Sequence, residues 1–133
     1  MREIKVKYYA IKPKTIISKI FTLYQIEIGE MLEWASKNYI HGSNLKKCLF
    51  TELNDKNGED IYTDCDIFKV KYMEQLHKPV ELIGIMIWND SELRYEIEVF
   101  NNDYYCVLSY LDNGTFYDFE IIGNKFENPE LLK

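Results

Sequence analysis

Apolar and polar residues alternate from the start of the chain. Ile4, Val6, Tyr8 and Ala10 are interleaved with Lys5, Lys7 and Tyr9, the period of two expected of a half-buried strand. Pro13, inside Lys12-Pro13-Lys14, cannot donate to a ladder and interrupts the run. Thr15–Phe21 then resumes a β-branched pattern, so the two runs predict a hairpin. Next comes TLYQIEIGEMLEWASKNY. Thr22 with Gln25 fits a capping box, Leu23 and Ile26 suit one helical turn, and Gly29 ends or kinks that turn. Met31, Leu32, Trp34 and Ala35 predict an apolar helical stripe, with Glu30, Glu33 and Lys37 left to water. His41–Asn44 reads as a loop.

From Leu45 onward the pattern is that of β structure. LKKCLFTEL is a short strand, and Asn57-Gly58 supplies easy positive φ for the turn that follows. CDIFKVKY sets Phe68, Val70 and Tyr72 against Ile67, Lys69 and Lys71. VELIGIMIW is strongly strand-like, and Gly84 within it marks a bulge or a close backbone approach. LRYEIEVF predicts Leu93, Tyr95, Ile97 and Val99 inward and Arg94, Glu96 and Glu98 outward. YYCVLSYL, Asn113-Gly114 and TFYDFEII read as a further hairpin. Five short strands after Asp66 expose edges if left as a flat sheet, so a small SH3-like barrel is the economical closure. The expected fold is therefore α+β. A hairpin–helix subdomain covers residues 1–44, and a barrel domain covers residues 45–133.

Composition narrows the class. A chain of 133 residues, 47% hydrophobic and 29% charged, is globular and buries enough surface to fold without metal or disulfide support. No apolar run approaches the roughly 20 residues needed to span a bilayer, and the N-terminal stretch lacks a signal-peptide core. Cys48, Cys65 and Cys106 are odd in number and form no C-x-x-C, which argues against a disulfide framework or a zinc site. Reduced thiols and a cytoplasmic setting are expected. Net charge is −6 but uneven: residues 1–21 carry six basic side chains against Glu3. Lys5, Lys7, Lys12 and Lys14 are thus candidate nucleic-acid contacts, although the acidic remainder disfavours wrapping a polyanion.

Little in the chain points to catalysis. His41 and His77 lie in predicted loops without metal-ligand neighbours. Asp64 and Asp66 sit two apart at a turn-to-strand junction, where aspartates commonly cap backbone amides. Cys65, in the same loop, is the thiol expected to be exposed, with no base nearby to activate it. DKNGED lacks the spacing of a calcium loop. No phosphate-binding glycine loop, nucleophile elbow or zinc-protease helix motif occurs. No enzyme activity, cofactor or metal is expected. Aromatics, in contrast, are abundant, and Tyr104, Tyr105, Tyr110 and Tyr117 crowd the last hairpin. Aromatics on both faces of a strand exceed what a small barrel holds, which makes these four candidates for an interface.

Three segments carry a resemblance. FTELNDKNGEDIY (Phe50–Tyr62), DIFKV (Asp66–Val70) and EIIGNKFENPELL (Glu120–Leu132) together resemble the YopX family of phage and prophage proteins. Its pattern runs Y-T-G-L-x-D-K-N-G-x-x-I-Y-E-G-D-I-V, then a variable stretch, then I-G-N-x-x-E-N-P-E-L-L. Glu52 stands where the pattern has glycine, and Thr63-Asp64-Cys65 replaces Glu-Gly, adding one residue. The resemblance implies a C-terminal SH3-like barrel and a phage context. It carries over no catalytic residue. The expectation is a non-enzymatic accessory protein that binds a host or phage protein or its own copies, with nucleic-acid binding as the alternative.

Overall fold

The computed structural model describes residues 4–74, 78–100, 107–109 and 114–132. The chain divides into two compact units, residues 1–50 and 51–133. The division falls inside a strand, whereas the sequence pattern suggested a break just before it.

In the first unit, β1 (Lys5–Ile11) and β2 (Ile16–Thr22) form the predicted hairpin, with Val6 opposite Phe21 and Tyr8 opposite Lys19. The Lys12 amide donates to the Thr15 carbonyl at 3.0 Å, which leaves Pro13 in the turn, where no ladder donor is needed. Helix α1 (Leu23–Glu27) starts at a complete capping box. The Gln25 amide donates to Thr22 Oγ1 at 3.2 Å, and the Thr22 amide donates to Gln25 Oε1 at 2.8 Å. Gly29, at φ 89°, ends this turn in a left-handed conformation that glycine adopts without strain, and α2 (Glu30–Lys37) follows. Ile26, Met31 and Trp34 pack on Val6, Tyr8 and Phe21, so one sheet face buries its apolar row under the helices. A 3-10 turn at Gly42–Asn44 leads into β3 (Leu45–Asn54), whose first half pairs with β1.

The second unit contains β4 (Asp60–Tyr62), β5 (Asp66–Glu74), β6 (Val80–Asn89), β7 (Arg94–Val99), β8 (Val107–Ser109), β9 (Gly114–Asn124) and a closing 3-10 turn, Pro129–Leu132. Strand order is β2-β1-β3-β4 in one sheet and β8-β7-β6-β5-β9 in the other. Phe68, Val70 and Tyr72 of β5 build the core with Leu82, Met86, Ile97, Val99 and Phe119. Gly84 fits its predicted role. A Cβ there would lie 2.5 Å from the Glu98 carbonyl oxygen, so the backbone approach admits no side chain.

These arrangements overturn the expected α+β class with an SH3-like barrel. The helices are short, because Gly29 splits them, and the protein is mainly β. Five strands do follow Asp66, but they form an open antiparallel sheet: among the described residues no ladder joins β8 to β9. Closure is not needed to bury the inner face. Ile61 of β4 and Leu53 of β3 cover that core, and register shifts at Ile67/Phe68 and Lys69/Lys71 interrupt the β5–β9 ladder.

Two side chains depart from the alternation in β7. Leu93 lies outside the strand at φ 52° and is exposed, while Glu96 is buried and accepts a hydrogen bond from Asn89 Nδ2. The Asn89 side-chain oxygen also accepts from the Ser91 and Glu92 amides at 2.9 and 3.0 Å. That turn chemistry accounts for an asparagine at the β6 end.

Candidate protein-interaction surface

β2 is an edge strand of its sheet. Strand alternation puts Ile17, Lys19 and Phe21 on the face covered by helices, and Ser18 and Ile20 on the other. Phe21 is buried against Tyr8 and Trp34, with both ring pairs edge-to-face at 6.1 and 5.7 Å. The Lys19 ammonium lies 5.5 Å from the Phe21 ring centroid. Between the edge of β2 and α2 runs an open groove of about 280 Å³, lined by Lys19, Phe21, Glu30, Glu33, Trp34 and Lys37. Its helical members recur at i, i+3, i+4 and i+7, one face of α2. Glu33 and Lys37 pair at 2.9 Å across one turn. The lysine's hydrogen bond and charge hold the Glu33 carboxyl below the usual carboxylate range.

The same helices expose large apolar side chains. Tyr24 is 69% exposed, Leu32 66%, Ile28 53% and Leu23 42%. The predicted stripe joined Leu32 to Met31 and Trp34. At about 100° per residue, Leu32 points away from both, and only they reach the core. The signal for this surface was in the sequence: LYQIEIGEMLEW holds more apolar positions than one helix face can bury.

The residues singled out from sequence are dispersed. Lys5 and Lys7 lie over aromatic rings, 4.6 Å from the Phe50 centroid and 5.0 Å from that of Tyr9. Lys12 and Lys14 are in the hairpin turn, with Lys14 exposed. Tyr117 is half-buried on β9, opposite Lys71. Tyr104, Tyr105, Tyr110, Cys106 and His77 lie outside the described residues. Asp64 is exposed, whereas Asp66 is buried and its Oδ2 accepts the Tyr62 amide at 2.8 Å, the capping role expected of it. Cys65 is not exposed but completely buried, with its Sγ 3.8 Å from Asp66 Oδ1. It shares the turn with Tyr62, whose hydroxyl is pushed up to about 12 by burial and then by the charges of Asp60, Asp66 and Cys65. His41 is exposed. Among the described residues no group of three His, Cys, Asp or Glu side chains is placed to hold a metal. No helix among them is long and apolar enough to cross a membrane.

The segments that carry the family resemblance build the scaffold. Asp55 opens the Asn57-Gly58 turn, and its Oδ1 accepts the Asn57 and Glu59 amides, each at 2.9 Å. Its Oδ2 accepts the Ile121 amide at 3.0 Å, tying the turn to β9. Burial pushes this carboxyl up, but the amides of Ile121, Glu59 and Asn57, with the charge of Lys56, more than offset it and hold it below the usual range. The two departures from the pattern fall where the backbone is left-handed: Glu52 at φ 68° and Asp64 at φ 62°. Glycine suits both positions, which explains its place in the pattern.

The tail is likewise architectural. The Asn124 Oδ1 accepts the Phe126 and Glu127 amides at 3.1 and 2.9 Å, and Asn128 Oδ1 reaches back to the Asn124 amide at 3.2 Å. The Lys125 amide donates to the Cys65 carbonyl at 2.9 Å, anchoring the tail on the β4–β5 turn. Asn128 precedes a helical turn at Pro129, and its side chain closes the preceding loop.

A family model described as YopX protein matches residues 8–133. No curated protein and no solved structure matches the chain.

Proposed function

We propose that this chain, which belongs to the YopX family, is a non-enzymatic phage or prophage accessory protein that acts by binding another protein. The observation that carries this reading is the concentration of exposed apolar side chains on α1 and α2. Isolated surface hydrophobics are ordinary, but Leu23, Tyr24, Ile28 and Leu32 crowd one short helical segment whose other side already supplies a core. Tyr24 has the size and amphipathic character that interface centres favour, and Leu32 adds exposed apolar area. The non-enzymatic half of the reading is supported by how the candidate catalytic groups are used. Asp66 caps a backbone amide, Cys65 is packed away from solvent, and Asp64 stands apart from them at the surface.

The test compares the wild-type chain with the Tyr24→Glu, Leu32→Glu double variant. Both are assayed by light scattering and by quantitative capture from a lysate of phage-bearing host cells. The expected result is a stoichiometric partner, or self-association, that the double variant loses while keeping its circular dichroism spectrum. A monomeric mass for both proteins together with identical capture profiles refutes the reading.

A further inference from the structure

We propose that Asn57-Gly58 is a self-modification site, an asparagine that deamidates through a cyclic imide when the turn held by Asp55 opens. The inference is independent of the protein-binding reading. The site lies in the second unit and uses none of the exposed apolar residues of α1 and α2.

The reaction needs only this dipeptide and water. The Gly58 backbone nitrogen, having lost its proton to solvent, attacks Asn57 Cγ. A nitrogen–carbon bond forms, the bond from Cγ to the side-chain nitrogen breaks, and that nitrogen takes up a proton and leaves as ammonia. Water then opens the ring at either carbonyl. One product is aspartate; the other is isoaspartate, in which the backbone runs through the former side chain. No oxidation state changes. Glycine after asparagine favours ring closure, because no Cβ crowds the attacking nitrogen. Asn57 and Gly58 are both exposed. A Cβ built on Gly58 meets no heavy atom within 4 Å beyond its chain neighbours, so solvent reaches the dipeptide.

The closed turn opposes the attack in three ways. The first concerns the nucleophile. The Gly58 amide donates to the Asp55 carbonyl at 3.0 Å, and losing its proton means losing that bond. The second is geometric. The same bond closes a β-turn over residues 55–58, with Asn57 at negative φ and no cis peptide. Such a turn is of type I, with ψ of about 0° at its third residue. Bringing the Gly58 nitrogen onto Cγ rotates the Asn57 ψ well away from that value, and the rotation breaks the turn. The third is charge. Asp55 Oδ1 accepts the Asn57 and Glu59 amides, one on each side of Gly58, both at 2.9 Å. A carboxylate at that place disfavours a second negative charge on the nitrogen between them.

Asp55 also sets how often the turn opens. Besides those two amides it accepts the Ile121 amide, and its own amide donates to the Glu59 carbonyl at 2.8 Å. Where reclosing is faster than the chemistry, the rate of modification follows the open population. The change is one-way. Aspartate at position 57 sets a carboxylate beside Asp55, and isoaspartate lengthens the backbone between the two amides that Asp55 Oδ1 binds. Neither product recloses around the original bonds.

The experiment incubates the whole chain at mildly alkaline pH and follows each asparagine by peptide mass spectrometry, with isoaspartate standards. Asn113-Gly114, the same dipeptide elsewhere in the chain, is the internal reference in urea. In urea the two sites should convert at similar rates. In buffer, Asn57 of the folded wild type should convert at least about tenfold more slowly than in urea, and Asp55→Ala should speed it by about tenfold or more, one charge-assisted hydrogen bond's worth. Asp55→Asn, which keeps an acceptor without the charge, should fall between. Leu82→Ala weakens the core far along the chain from the turn and should leave the Asn57 rate of the folded protein unchanged. The modified chain, separated by ion exchange, should unfold at a lower urea midpoint. Equal Asn57 rates in buffer and urea, no acceleration in either Asp55 variant, equal acceleration by Leu82→Ala, or an unchanged midpoint after modification overturns the proposal.

Discussion

Replacing Asp55 by alanine removes one carboxylate and three hydrogen bonds. Two of them, from the Asn57 and Glu59 amides, shape the turn between β3 and β4; the third, from the Ile121 amide, holds that turn against β9. Hydrogen bonds to a charged acceptor contribute about 1.5–3 kcal/mol each. The contributions do not simply add here, because Asn57 and Glu59 are exposed and their amides regain water in the variant. The Ile121 amide is only partly accessible, and the Asp55 side chain itself is buried. A loss of about 3 kcal/mol follows, equivalent to a Tm decrease of about 10 °C. Urea unfolding at neutral pH, followed by circular dichroism, should show a midpoint lower by about 2 M, taking a slope of about 1.5 kcal/mol/M. Acid adds a second, independent arm. The folded carboxyl sits below its unfolded value, so the folded state binds its proton less readily. Its stabilisation is complete above the ordinary carboxylate range and is lost as pH falls through the lower folded value. The gap between wild type and Asp55→Ala must therefore narrow on acidification. A change of less than about 1 kcal/mol at neutral pH, or a gap that widens as pH falls, refutes the reasoning.

Two further substitutions probe the backbone. Gly123→Ala puts a Cβ 2.6 Å from Asn128 Oδ1 and 3.1 Å from Leu131 Cδ1, so the tail must shift off β9. The expected cost is about 1–3 kcal/mol in thermal unfolding, and an unchanged Tm would contradict the anchoring of the tail. Glu52→Gly relieves a left-handed residue at φ 68°, worth about 1–2 kcal/mol, against the extra freedom glycine has when unfolded. A net gain of about 0.5 kcal/mol in urea unfolding is expected, and a clear destabilisation would show that the Glu52 side chain matters more than its backbone.

The sequence by itself determined what depends on neighbours along the chain. The β1–β2 hairpin, the Thr22–Gln25 capping box, the break at Gly29 and the close approach at Gly84 were all legible, because each follows from local sterics or a hydrogen bond a few residues long. The tail and the Asn57-Gly58 turn were legible as motifs because their internal hydrogen bonds are likewise local, whereas the bonds from Ile121 to Asp55 and from Lys125 to Cys65 are long-range. What the tertiary structure decided is which element covers which face. Period two shows that a strand has two faces but not whether a neighbour buries one, both or neither. Glu96 is therefore inside, and Cys65 is hidden by the turn that was expected to display it. Leu32 points outward because Ile26, Met31 and Trp34 fill the contact with the sheet. The barrel failed for the same reason. Closure was inferred from the need to bury a face, and Leu53 and Ile61 meet that need from another sheet. The groove beside β2 was beyond local reading altogether. It arises where a strand edge and a helix face are brought side by side, and no local pattern records that distance.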